Sequence, residues 1–151
     1  MGNKILLVDD EDNILSSYKR MLKNKYIIET AAGGAAALAV LNTRGPFSVV
    51  ICDYKMPGMN GIQFLAEIKD LFPDTIRIML TGQADLNMAI DAVNEGNIFR
   101  FLTKPCDSEL LEKSILAAFR QHELIMSERE LHLLLKKIGD NGLGHNRLIR
   151  D

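Results

Sequence analysis

The sequence has few cysteines, little net charge and no long apolar run. Its two cysteines, Cys52 and Cys106, are too few for a metal framework, and neither belongs to a C-x-x-C motif. A formal net charge of −2 gives no indication of the strongly basic surface that binds nucleic acid. The first apolar run, residues 5–8, is too short for a signal sequence or a membrane span. We therefore expect a cytoplasmic globular protein that binds neither nucleic acid nor membrane directly.

Two glycine motifs that bind nucleotides are also missing. A Rossmann site would place G-x-G-x-x-G after the first strand, but residues 9–12 are all acidic there and would repel a pyrophosphate. The sequence also lacks a Walker P-loop. Nucleotide-binding classes that depend on these motifs are therefore excluded.

Short apolar runs alternate with amphipathic segments from residue 4 to about residue 120. Strands are predicted at residues 4–8, 26–30, 48–52, 76–80 and 98–102. Each strand is followed by apolar residues at helical spacing, so the order is five strand–helix units. This alternation predicts an α/β fold, a doubly wound five-stranded parallel sheet with helices on both faces. The mixed polarity of the second strand suits an edge of the sheet.

Polar side chains follow four of the five predicted strands. The first strand is followed by Asp9 and Asp10, the third by Asp53, the fourth by Thr81 and the fifth by Lys104. Because the carboxyl ends of parallel strands share one edge, these side chains should converge. Clustered carboxylates repel one another and stay ionised most readily around a cation, and hard oxygen ligands suit Mg²⁺. With an ammonium and a hydroxyl added, this edge has the groups that a phosphoryl site needs.

Asp53 has an alternative role as the cap of the next helix. That helix is predicted to begin near Gly61, which is too far along the chain for a side chain to cap it. Capping nevertheless stays open as the alternative at this point.

Several short motifs add to the pattern. Asp53 begins D-x-x-M-P-G-M-N-G, Thr81 precedes the small Gly82, and Phe101 lies shortly before Lys104-Pro105. Together with the acidic pair at 9–10, this ordered set resembles the receiver domain of bacterial two-component response regulators, over about residues 4–120. The resemblance implies the flavodoxin-like receiver fold with strand order 2-1-3-4-5.

The resemblance also implies a chemistry. Asp53 would accept a phosphoryl group from the phosphohistidine of a sensor histidine kinase or phosphotransfer protein. Asp10, Asp53 and the backbone carbonyl of Lys55 would bind Mg²⁺, and Asp9 would act mainly through water. Lys104, aimed by a cis peptide before the proline, would pair with the acyl phosphate. Such a domain assists its own phosphorylation and dephosphorylation but is expected to turn over no external substrate, so it is not an enzyme in the usual sense.

A conformational switch is the second implication. The Thr81 hydroxyl would move toward a phosphoryl oxygen and let Phe101 turn inward. The face formed by the fourth helix, fifth strand and fifth helix would then change and control an output domain or partner. This position is often Tyr in the family, whereas Phe101 can form no outward hydrogen bond. Because residues 96–101 are about one residue longer than the commonest version, Phe99 is a second candidate for the switch.

Two other functions fit the same residues less well. An interaction or dimerisation module would keep the fold without being phosphorylated, but the acidic set is intact. A phosphatase with an aspartyl nucleophile would need a second Asp two residues beyond Asp53, where the sequence has Lys55.

The fifth helix is predicted to continue beyond the domain. Residues 120–137 contain neither Gly nor Pro, and apolar residues recur every seven positions, at Leu110, Ala117, Leu124, Leu131 and Ile138. This spacing predicts a helix that pairs in a weak parallel coiled coil, and the alternative is an amphipathic helix that folds back on its own domain. Residues 139–151 are predicted to stop the helix and to form a linker or tail.

These features divide the sequence into a receiver domain, residues 1–121, and a helical extension with a linker, residues 122–151. A homodimer is expected through the fourth helix, fifth strand and fifth helix, or through the extension. A helix-turn-helix output module would need about fifty more residues of basic character. The sequence is therefore either a stand-alone receiver or, as we expect, the front part of a longer protein with an output domain outside this sequence. The fifth-strand sequence resembles that of receivers preceding transcription-activator or cyclic-di-GMP phosphodiesterase modules.

Overall fold

Five strands form one parallel sheet in the computed structural model, which describes residues 4–150 and the side chains of residues 4–140. The strands are β1 (Lys4–Val8), β2 (Ile27–Ala31), β3 (Val49–Asp53), β4 (Ile76–Thr81) and β5 (Arg100–Thr103). Their order across the sheet is β2-β1-β3-β4-β5, so the predicted flavodoxin-like topology is confirmed. The mixed-polarity strand β2 lies at an edge, as predicted.

Five α-helices of the described residues cover the two faces of the sheet, and a 3-10 turn, Gln83–Asp85, precedes the fourth of them. They are α1 (Asp12–Leu22), α2 (Gly34–Arg44), α3 (Gly61–Leu71), α4 (Leu86–Asn94) and α5 (Ser108–Arg150). One core packs strand residues such as Val50 and Met79 against α2, α3 and α4. The other packs residues such as Ile51 and Ile78 against α1 and α5. Because both faces are covered, all five residues of β3 are buried, and this explains its continuous apolar run.

The fifth strand begins later than its apolar run predicted, at Arg100 rather than Ile98. The backbone N–H groups of Asn97 and Ile98 donate to the carbonyl of Ala92 and close the end of α4. Ile98 is nevertheless buried from this loop position. Hydrophobicity alone does not distinguish an apolar loop residue of this kind from a strand residue.

The helix stop predicted at Gly139 is wrong, because α5 continues through this residue to Arg150. A glycine that ends a helix often adopts the left-handed conformation, and Gly139 does not. Within a helix, glycine costs only about 1 kcal/mol relative to alanine, too little to interrupt a long run of helix formers. The final residue of the predicted tail, Asp151, lies outside the described residues.

The length of α5 does not make it a membrane helix. Although it contains 43 residues, neither α5 nor any other helix in the described part of the chain is long and apolar enough to cross a bilayer.

Gly61 holds the loop that follows β3 against the start of α3. Its N–H donates to the carbonyl of Tyr54 at 2.7 Å, and an added Cβ would collide with the backbone oxygen of Asp53. We expect Gly61→Ala to lower the free energy of unfolding by about 2 kcal/mol, because the backbone must shift to accept the methyl group. Urea denaturation measures the change. Gly82→Ala is the matched control, since its methyl group would meet no atom within 4 Å and its φ is −80°. Equal effects of the two substitutions would contradict the close-approach argument.

Candidate functional site

Three carboxylates converge at the carboxyl edge of the sheet. Asp53 ends β3, and Asp9 and Asp10 follow the adjacent strand β1. One carboxylate oxygen from each of the three lies within 4.8 Å of the others. Asp9 is 3% exposed and Asp53 is 7% exposed, whereas Asp10 is open to solvent. The acidic cluster predicted from strand ends is therefore present, with two buried members and one exposed member.

Lys104 brings a positive charge into this cluster from the loop between β5 and α5. Its Nζ lies 2.7 Å from Asp53 Oδ1 and 3.7 Å from Asp9 Oδ2. The Lys104 N–H donates to the carbonyl of Thr81 at 2.8 Å and fixes the loop beside β4. The Lys104–Pro105 peptide is cis, as the resemblance implied. Burial lowers the pKa of Lys104, but the hydrogen bond and charge of Asp53, with the charge of Asp9, raise it overall.

Asp9 is the carboxylate most strongly perturbed by its surroundings. Burial, reinforced by the charge of Asp53, raises its pKa from 3.8 to about 6, although the N–H of Glu11 and the charge of Lys104 act in the opposite direction. Asp9 Oδ1 accepts the Glu11 N–H at 3.0 Å, whereas the buried Oδ2 makes no hydrogen bond. A buried oxygen of this kind beside two further carboxylates is a donor set that a hard cation fits.

The loop after β3 forms an opening beside the acidic cluster. Asp10 and Lys55 line this opening, which has a volume of about 370 Å³. The side chain of Lys55 points to Asp85, with a separation of 3.8 Å between Nζ and Oδ2. Asn60, not Asp53, caps α3 in a capping box with Gln63. The capping role considered for Asp53 is therefore wrong, and its carboxylate stays in the cluster.

Thr81 ends β4 next to the strand that carries Asp53. Asp53 pairs with Leu80 across the two strands, which puts Thr81 one residue further toward the same edge. Its side chain is fully buried, and its hydroxyl makes a long bond of 3.3 Å to the carbonyl of Gly82. A hydroxyl with so weak a partner can change partners at low cost.

The two candidate switch residues lie on different sides of the sheet. Phe101 pairs with Met79 in β4 and packs against the core under α2, α3 and α4. Phe99 precedes β5 and packs against the core under α1 and α5, with the guanidinium of Arg100 over its ring at 5.3 Å. Only Phe101 therefore belongs to the core that contains α4.

Two contacts near the site were not predicted from the sequence. Tyr54, directly after Asp53, has its hydroxyl 2.7 Å from the sulfur of Met88 in α4. The Lys55–Asp85 contact likewise joins the loop after β3 to the residues that precede α4. Each pair is separated by about thirty residues in sequence, and no periodicity relates its members. These contacts can be identified only in the folded structure.

The sequence model of one family covers most of the chain. Residues 5–116 match the family described as response regulator receiver domain. The chain is 37% identical over 126 residues to the transcriptional regulatory protein GlrR of Escherichia coli, which corresponds to 83% of this chain and 28% of GlrR. Across eight curated relatives, the chain spans between 21% and 31% of the relative's length.

Two solved structures resemble the chain closely. A receiver domain protein of Clostridium thermocellum has a TM-score of 0.77 and 36% identity, covering 82% of this chain and 98% of that one. A protein described as adenylate cyclase of Rhodopirellula baltica has a TM-score of 0.85 and 40% identity, covering 91% of this chain and 99% of that one.

Proposed function

Because the chain belongs to the response regulator receiver domain family, we propose that it accepts a phosphoryl group on Asp53 and changes the surface it offers to a partner. The observation that carries this proposal is the junction of three carboxylates with Lys104 Nζ, 2.7 Å from Asp53 Oδ1. The proposed donor is the phosphohistidine of a sensor histidine kinase or phosphotransfer protein.

The proposed transfer needs a nucleophile and a counter-charge. A bond forms between a carboxylate oxygen of Asp53 and phosphorus, while the P–N bond of the donor histidine breaks and its electron pair leaves with the imidazole. The Lys104 ammonium, already against Asp53, would then face the oxygens of the transferred group. Because Asp53 is nearly fully buried, a phosphodonor could reach its carboxylate only from the exposed edge of the sheet.

The proposed cofactor is Mg²⁺. Support comes from a donor set of oxygens alone, from the hydrogen-bond-free Oδ2 of Asp9 and from the solvent access of Asp10. Asp10, Asp53 and the backbone carbonyl of Lys55 would hold the ion directly, and Asp9 would act mainly through water. When bound, Mg²⁺ would reduce the repulsion between the anionic carboxylate and the anionic phosphoryl group.

The proposed switch couples Thr81 to Phe101. The weakly bonded Thr81 hydroxyl would turn from Gly82 toward a phosphoryl oxygen, and Phe101 would follow into the core beside α4. The packing of Phe101 against that core favours it over Phe99 as the moving ring. The change would appear on the face formed by α4, β5 and α5, where Met88 and Leu110 are exposed.

Labelling with a small phosphodonor tests the proposal. Acetyl phosphate with Mg²⁺ should add the mass of one phosphoryl group to the chain, and EDTA should prevent the addition. Hydroxylamine should remove the label, because it cleaves an acyl phosphate and leaves a phosphoserine or phosphothreonine intact. An unlabelled wild-type chain would sink the proposal.

The two alternative functions predict different results. A phosphatase would release phosphate from p-nitrophenyl phosphate over many turnovers, whereas we expect less than one turnover per chain. Such a phosphatase also needs a carboxylic acid to protonate the leaving group. The position of that acid is occupied here by Lys55, whose exposed side chain contacts Asp85. An interaction module without phosphorylation would bind no Mg²⁺ and take no label.

We further propose that residues 1–121 form the receiver and that residues 122–151 connect it to an output domain. The greater length of the curated relatives supports this proposal, and GlrR is described as a transcriptional regulatory protein.

Pairing of two copies through α5 is part of the proposal. Leu124, Leu131 and Ile138 are each more than half exposed. At about 100° per residue, Leu124, Leu131 and Ile138 lie roughly 140°, 160° and 180° around the helix from the buried Leu111, so this stripe faces away from the receiver. The alternative of a helix folded back on its own domain does not account for a stripe on this side. A parallel coiled coil would cover it.

Sedimentation tests the proposed pairing. The apparent mass should roughly double with beryllofluoride, a mimic of the phosphoryl group, if phosphorylation drives dimerisation. The double substitution Leu131→Gln, Ile138→Gln should keep the chain monomeric. Leu133→Gln is the matched control, because Leu133 is equally exposed but lies on the opposite side of the helix. Loss of the dimer in the control, or its survival in the double variant, would exclude this stripe as the interface.

A further inference from the structure

A cavity of about 470 Å³ lies at the end of the molecule opposite Asp53. Its walls are the loop between α2 and β3, the loop between α3 and β4, and the stretch of α5 from His122 to Arg129. At about 1.5 Å per residue, α5 has risen roughly 21 Å by His122, while a strand the length of β4 spans about 20 Å. The cavity therefore exists because α5 runs past the sheet.

The lining of this cavity is mainly apolar and aromatic. Phe47 forms a fully buried part of the wall, and Phe72 and Pro73 lie beside it. Leu71 and Met126 are substantially exposed, so the mouth opens to solvent. The volume falls in the range of about 300–1,000 Å³ that small-molecule sites occupy. A partner helix, whose diameter with side chains is about 10–12 Å, would not fit into a cavity of this volume.

The charges at the cavity cancel. Arg129 Nη1 lies 2.6 Å from Asp74 Oδ2, so the guanidinium and the carboxylate neutralise each other. Burial lowers the pKa of His122, despite the opposing charges of Asp74 and Glu123, and thus favours the neutral form of its imidazole. The Thr75 hydroxyl already donates to the carbonyl of Phe47. A charged ligand would lose its hydration here without gaining a partner of opposite charge.

We propose that this cavity binds a compact, uncharged aromatic molecule, with the His122 imidazole as its hydrogen-bonding group. Phenylalanine rings and the Met126 thioether make favourable contacts with an aromatic ring. Such a ligand would touch both the receiver loops and α5, so its binding would also restrain the direction of the extension. The proposal does not depend on phosphorylation of Asp53.

A matched pair of fluorescent probes tests the chemical class. N-phenyl-1-naphthylamine and 8-anilino-1-naphthalenesulfonate share one aromatic body, and only the second carries a charge. With the wild-type chain of 151 residues, the uncharged probe should bind saturably at one site and at least ten-fold more tightly than the sulfonate. The absence of saturable binding, or equal affinity of the two probes, would overturn the proposal.

Two tryptophan substitutions locate the site. Met126→Trp should fill the cavity and weaken binding of the uncharged probe at least ten-fold. Leu133 lies about two helical turns further along α5 and outside the cavity lining. Leu133→Trp should therefore leave the affinity unchanged. Thermal unfolding followed by circular dichroism checks that both variants are folded. Unchanged affinity in Met126→Trp, or weakened binding in Leu131→Gln, Ile138→Gln, would place the probe elsewhere and overturn the assignment.

Discussion

Asp53→Asn should abolish labelling by acetyl phosphate. The amide keeps the shape of the carboxylate and leaves an oxygen for Lys104, but its neutral oxygen and delocalised nitrogen are poor nucleophiles toward phosphorus. Because the substitution removes one of three clustered negative charges, the fold should not suffer. Intact mass measured after incubation with acetyl phosphate and Mg²⁺ checks the result, which should be complete loss rather than a slower reaction.

Asp85→Asn is the matched control for this substitution. Asp85 lies near the site and contacts Lys55, but it does not belong to the acidic cluster. This variant should take one phosphoryl group, with at most a change in rate. Label that persists in Asp53→Asn would assign the acceptor to another residue, and the hydroxylamine test would then show whether it is a carboxylate.

The positions of the strands were predictable because the parallel sheet is buried on both faces. β3 is an apolar run closed by a polar residue and a Pro/Gly loop, which is a pattern that hydrophobicity alone identifies. The same logic misplaced the start of β5, where Ile98 is apolar because it packs from a loop. The pattern of apolar residues thus indicates which residues are buried, but not which of them pair in a strand.

The convergence of the site residues was predictable for a topological reason. Parallel strands bring their carboxyl ends to one edge, so Asp9, Asp53 and Lys104 meet although they are far apart in sequence. The contacts of Tyr54 with Met88 and of Lys55 with Asp85 were not predictable. They depend on the path of two loops and on side-chain conformations, neither of which leaves a periodic pattern.

The course of α5 shows the limit of local propensity. Local propensity predicts a stop at Gly139 because glycine disfavours helix, but a helix already formed adds each further residue at small cost. The sequence therefore predicted the continuation of the helix beyond the domain correctly and the end of the helix wrongly. The cavity beside Met126 could not be predicted either, because it forms only where the long helix extends past two loops.

Asp9→Asn should stabilise the metal-free chain by roughly 3 kcal/mol at pH 7, because a shift of one pKa unit corresponds to about 1.4 kcal/mol. The pKa of Asp9 is raised from 3.8 to about 6, chiefly by burial, so its ionised form is disfavoured in the folded chain. The amide resembles the protonated acid, carries no charge and can still accept the N–H of Glu11. Urea denaturation in EDTA measures the difference.

The pH dependence of this effect has a definite sign. Between about pH 4 and pH 6 the folded wild-type chain holds the Asp9 proton that the unfolded chain has released. The stabilisation from this proton is fully present below about pH 4 and is lost as the pH rises through about 6. The advantage of Asp9→Asn should therefore be greatest above pH 6 and disappear below pH 4. Parallel stability profiles of wild type and variant would contradict the raised pKa.

A surface carboxylate and added metal separate this effect from a general change in charge. Asp91→Asn, on the exposed side of α4, removes the same charge and should change the free energy of unfolding by less than about 0.5 kcal/mol. Saturating Mg²⁺ should stabilise the wild type more than Asp9→Asn, because the variant presents one fewer carboxylate to the cation. The ionised form of Asp9 is disfavoured chiefly by burial and also by the charge of Asp53, and a bound cation would offset both effects. Asp9→Asn should therefore reduce both the destabilisation of the metal-free chain and the gain in stability from Mg²⁺.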